Sequence, residues 1–122
     1  MQKSGFALLF ILLFSFGCRK ETLAPPEPLA VDQLPSAMEK AFSNAKPPAK
    51  DLATQVVASV QAQDYSKAFL DIQSLSASPD LTKEQSSITT RAMMTINGLL
   101  KSAVTKGDEK SATALKRYQM TK

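Results

Sequence analysis

An all-α fold is the expectation for this 122-residue chain, and three features of the sequence carry it. Beyond Val31, apolar side chains recur at steps of three and four rather than two, the spacing of a helix stripe and not of a half-buried strand. Residues suited to capping helices, and prolines suited to opening or stopping them, punctuate that pattern. Glycine, the usual residue of tight turns between strands, occurs in this part only at Gly98 and Gly107. The chain is then expected to divide into an export segment (1–17), a proline-rich linker (18–30) and a small antiparallel helical hairpin bundle (31–122).

Five helices are expected in that bundle. Asp32 can cap a first short helix that buries Leu34, Met38, Ala41 and Phe42, with Pro35 tolerated in its first turn. The stretch Asn44 to Pro48 ends it, and Pro47 or Pro48 opens the second, which aligns Leu52, Val56 and Val60 with Ala53 and Val57 beside them. Asp64 caps a third helix carrying Tyr65, Ala68, Phe69, Ile72 and Leu75, and Ser78-Pro79 stops it. Thr82 and Gln85 have the spacing of a capping box for the longest helix, with Ile88, Ala92, Ile96, Leu99, Leu100 and Ala103 in register. Gly107 ends that helix, Asp108 caps again, and Ala112 and Leu115 seed a last one. No such helix is stable alone, so each must bury its stripe on a neighbour.

The amino-terminal segment reads as an address. Lys3 and the amino terminus are positive, Phe6 to Phe14 is an unbroken apolar run, and small residues follow up to the only cysteine, Cys18. That order is the grammar of a secretory signal peptide. A helix from Gly5 to Gly17 would reach only about 20 Å, against a bilayer core of about 30 Å, so a membrane span is the weaker reading. The stretch around Gly17-Cys18 resembles the lipobox of bacterial lipoproteins. That resemblance implies cleavage after Gly17 and a lipid on the Cys18 sulfur. Ser15 and Phe16 depart from the family pattern, and Ser15-Phe16-Gly17 also suits ordinary signal cleavage, which would leave a soluble secreted or periplasmic protein. With Arg19 rather than an inner-membrane retention Asp after the cysteine, the resemblance implies an outer-membrane lipoprotein facing the periplasm or the cell surface. Pro25, Pro26 and Pro28 make the following residues an extended spacer, some 30 to 40 Å long at about 3 Å per residue.

QAQDYSKAFLDIQSLSASPD resembles the second half of a tetratricopeptide repeat: Asp64, Tyr65, Ala68 and Pro79 fit, while Gln63 stands where that family prefers Gly. Gly107, Asp108 and Ala112 echo the same pattern. Asp64 and Asp108 lie about 44 residues apart, against about 34 in the family. The resemblance implies tetratricopeptide-like helical hairpins, the second stretched, with a shallow groove for a peptide or partner helix.

Composition argues against several chemistries. The chain lacks His, the usual general base near neutral pH, and a single Cys makes neither an internal disulfide nor a multi-thiolate metal site. The net charge of +4 is too small to point to nucleic acid. Ser43 and Lys46 match S-x-x-K, but Thr105-Lys106-Gly107 is not K-T-G and no S-D-N follows, so the pair reads as solvated residues at a helix end. Met38, Met93, Met94 and Met120 read as core filling, with Met94 facing solvent, rather than as a soft-metal site. Tyr65 and Tyr118 read as core-edge residues. The expectation is therefore a non-catalytic envelope protein with no cofactor, held to the membrane by its lipid and acting on another envelope protein or peptide. The alternative rests on a basic carboxy-terminal region, where Lys106, Lys110, Lys116 and Arg117 could meet anionic lipid or cell-wall polymer. Bases near a helix C-terminus also serve the helix dipole and solubility, so that cluster has an ordinary reading too.

Overall fold

A computed structural model describes residues 25–122. It contains five helices and, among the described residues, no strand. They are α1 (Leu34–Phe42), α2 (Pro47–Gln61), α3 (Tyr65–Ser76), α4 (Lys83–Thr105) and α5 (Glu109–Met120). Consecutive helices pack on one another, α1 also packs on α4, and α5 also packs on α3. The central helix α3 thus has neighbours in α2, α4 and α5, whereas α5 leans on α3 and α4 alone. The segment expected to be a signal peptide (1–17) and the expected lipidation site Cys18, with Arg19 after it, lie outside the described residues.

The core is built from the expected stripes. Leu34, Met38 and Phe42 of α1, Val56 and Val60 of α2, Ala68, Phe69, Ile72 and Leu75 of α3, and Ala92, Ile96 and Leu100 of α4 are all buried. Some stripe residues sit at its edge: Leu52, Ile88, Leu99 and Ala103 are only partly buried, as is Ala41. Ala112 is exposed, so the inner face of α5 is instead Ser111, Ala114, Leu115 and Tyr118. Tyr65 and Tyr118 do lie at the edge of the core, and Met94 is exposed.

Local chemistry explains the helix ends. Pro47 opens α2, where its missing N–H has no intrahelical partner to lose. The Asp64 side chain accepts from the Lys67 N–H at 3.2 Å and so starts α3. Thr82 and Gln85 form a reciprocal capping box at the start of α4, with both hydrogen bonds at 3.0 Å. The Gln85 amide does more than cap. Its Nε2 donates to the Ala41 carbonyl at 3.2 Å, which ties the start of α4 to the end of α1. Asp32 does not cap α1: Gln33 occupies that position and no side chain caps it. The Gln33 and Leu34 amides are instead turned back onto the Ala30 carbonyl.

The α2–α3 and α4–α5 connections share one geometry. The Gln63 N–H donates to the Val60 carbonyl and the Asp64 N–H to that of Ser59. Gly107 and Asp108 do the same with Val104 and Ala103. Both are Schellman closures, and both require a left-handed residue, with φ +59° at Gln63 and +93° at Gly107. Asp80, in the α3–α4 connection, is also left-handed, at φ +64°, a region that Asp tolerates better than most residues.

The proline-rich linker is shorter than expected. Leu29 is buried in the core cluster, with only 6% of its surface exposed, so the packed unit starts before position 31.

Candidate functional site: the groove between α3 and α5

Helices α3 and α5 both pack on α4, and they meet along a shallow trough of about 460 Å³. Its floor is aromatic. The rings of Phe69 and Tyr118 stand edge to face at 5.2 Å between centroids, a favoured arrangement for two aromatic quadrupoles. Phe69 is buried, which anchors the pair in the core, while Tyr118 remains half-exposed. Leu70 forms one wall and leaves 58% of its surface in solvent. Ala114, a small residue on the α5 side, keeps the trough open.

Lys110 and Arg117 line the other wall, two helical turns apart on α5. Among the described residues neither belongs to an ion pair; the pairs that form are Lys46–Asp80 and Lys67–Asp71. Glu109 stands at the open end of the groove near the start of α5. At the other end, the Lys122 ammonium lies 4.8 Å from the centre of the Tyr118 ring, within cation–π range. The site thus offers apolar area beside two exposed cations, Lys110 and Arg117.

The structure separates the four basic residues singled out from the sequence. All are exposed. Lys110 and Arg117 line the groove; Lys106 is the C-cap of α4, and Lys116 does not line the groove. Leu70 was not part of any sequence stripe. Its only sequence signal is that it is a large apolar residue one position off the buried face defined by Phe69 and Ile72.

The Asp108 carboxylate starts α5 differently from the way Asp64 starts α3. It accepts from the hydroxyl of Ser111, which is fully buried, and no backbone N–H completes a cap bond to it. That hydroxyl chiefly holds the Asp108 pKa below its ordinary value; desolvation opposes it, and the nearby Ser111 and Lys110 amides and the Lys110 charge add smaller lowering effects.

The remaining sequence candidates are structural. The Ser43 hydroxyl donates to the Lys40 carbonyl at 3.1 Å, and the Lys46 ammonium lies 3.5 Å from Asp80, so the S-x-x-K pair is engaged separately at the surface. No group of three or more His, Cys, Asp or Glu side chains among the described residues is placed to hold a metal ion. No described helix is long and apolar enough to cross a membrane. A second trough, of about 360 Å³, lies between α1 and α2 over Met38, Phe42 and Val57. No family model, curated protein or solved structure matches the chain.

Proposed function

We propose that the protein is an exported, lipid-anchored envelope protein that acts by binding, its α3–α5 groove receiving an amphipathic helix or peptide from another envelope protein. The observation that carries the binding reading is the exposed Leu70 beside the Phe69–Tyr118 pair, flanked by Lys110 and Arg117, neither of which forms a close ion pair among the described residues. An apolar floor with a basic wall is complementary to a helix with an aliphatic face and acidic residues along one side. The matching Schellman–Asp closures of the two hairpins support the tetratricopeptide-like reading. Anchoring is supported by the sequence around Cys18 and by the proline-rich residues after it.

Two experiments test the two halves of this reading. Intact mass of the membrane fraction should show an acyl-sized increment that Cys18→Ser lacks; a wild-type mass without it removes the anchor. A fluorescent helical peptide with a leucine face and a glutamate flank should bind the protein, and Leu70→Asp should weaken that binding at least tenfold. Equal binding by Leu70→Asp removes the groove.

The second reading places the basic surface, Lys106, Lys110, Lys116 and Arg117, against anionic lipid or cell-wall polymer, and the exposure of all four supports it. Salt discriminates. Attachment to anionic vesicles through exposed charge should collapse between low and physiological ionic strength, whereas groove binding through apolar contact should persist.

A further inference from the structure

We propose that residues 27–29 are a releasable clamp, which holds the exit of the linker against α4 and can let go without unfolding the helices. Glu27 and Leu29 share three hydrogen bonds with one short segment of α4. The Arg91 Nε donates to the Glu27 carbonyl at 2.9 Å. The Leu29 N–H donates to the Arg91 carbonyl at 3.4 Å, and the Thr95 hydroxyl donates to the Leu29 carbonyl at 2.6 Å. The Leu29 side chain is buried in the core cluster. Pro28 keeps Glu27 extended, so the carbonyls are presented to α4 with little further ordering.

The release is built into the same contacts. Thr95 is buried, and an orphaned buried hydroxyl would oppose opening. Its oxygen also lies 3.1 Å from the Arg91 carbonyl one turn back, so the single hydroxyl proton has a second acceptor when Leu29 leaves. Arg91 is only partly buried and exchanges the Glu27 carbonyl for water. What holds the clamp shut is then chiefly the burial of one leucine, a bias of about ten- to a hundredfold toward the closed state. Opening stops at Ala30, because its carbonyl accepts the Gln33 and Leu34 amides at the start of α1.

The closed clamp fixes where the linker leaves the body. The open one adds three residues to the spacer, roughly 10 Å, and bares an apolar slot beside α4. The clamp itself stands or falls independently of any lipid on Cys18.

Hydrogen exchange on the full-length chain in detergent tests it. The Leu29 amide should exchange at least about tenfold more slowly than in a free peptide, yet faster than the amides of α2 and α3. Thr95→Val should speed exchange at Leu29 about fivefold, several times more than any change in α2 or α3. Leu29→Asp should free residues 27–29 while circular dichroism retains the helical signal. The proposal is overturned if the wild-type Leu29 amide exchanges as in a free peptide, if it exchanges only with α2 and α3, if Thr95→Val leaves it unchanged, or if Leu29→Asp loses the helices together with the clamp.

Discussion

The α2–α3 and α4–α5 hairpins are closed by the same turn and differ in almost everything the turn does not control. Each ends its first helix in a Schellman closure and begins its second after an aspartate. Yet α3 buries Ala68, Phe69, Ile72 and Leu75, while in α5 only Ser111 is buried. The difference follows from position. Helix α3 is packed by α2, α4 and α5, whereas α5 packs on α3 and α4. A turn is therefore a local statement about where a helix stops, and it leaves open how much the next helix will bury. The exposed outer face of α5 and its partial contact with α3 are also what leave the groove open.

The largest expected break in this comparison is a cavity. Ile72→Ala in α3 should lower stability by about 3 kcal/mol in urea unfolding, because the fully buried site cannot collapse around the loss. Leu115→Ala, at a half-buried site of α5, should cost about 1 kcal/mol. Comparable losses would mean that α5 is as deeply integrated as α3.

The turns come next. Gly107→Ala should cost about 1 kcal/mol, chiefly from the left-handed backbone, since beyond the adjoining residues nothing lies within 4 Å of the new methyl position. Gln63→Gly should act oppositely and stabilise the α2–α3 turn, by less than about 1 kcal/mol, because glycine relieves the backbone but frees the unfolded chain. Thermal unfolding of both variants checks the pair, and the same sign for both would refute the shared geometry. Asp64→Ala should cost about 1 kcal/mol through loss of the Lys67 amide cap.

The smallest effect concerns acid. The pKa of Asp108 is depressed on folding, so its contribution is complete above the unfolded value of about 3.9 and fades as pH falls through the lower folded value. Thermal melts between neutral pH and pH about 3 should therefore lose a small increment that Asp108→Asn never has. An unchanged acid dependence in Asp108→Asn would show that the Ser111 contact contributes nothing.

Much of the helical framework was legible because its signals act within a few residues. Pro47, Asp64, Thr82 with Gln85, and Gly107 each mark a helix boundary where the structure has one. Gln63 was read as a departure from a glycine-favouring position, and its left-handed backbone shows why glycine suits that place. Asp32 failed as a cap because the Ala30 carbonyl turns the chain one residue later. Ala112, expected with Leu115 to seed the last helix, is exposed, because the neighbours of α5 lie on the side of Ser111 and Tyr118. The groove was half legible: Lys110 and Arg117 were singled out as a basic face, while Leu70 was not.

By itself, the amino-acid order determined that this chain is helical, where most helices begin and end, and which faces are greasy, since hydrogen-bond capping and side-chain periodicity are settled over one or two turns. Only the tertiary structure decided how deep each face lies, that Gln85 joins α4 to α1, that Leu29 belongs to the core, and that Phe69, Leu70 and Tyr118 share a groove. Those outcomes depend on which residues meet across long stretches of chain, as Glu27 and Arg91 do, 64 positions apart, and no local rule encodes that meeting.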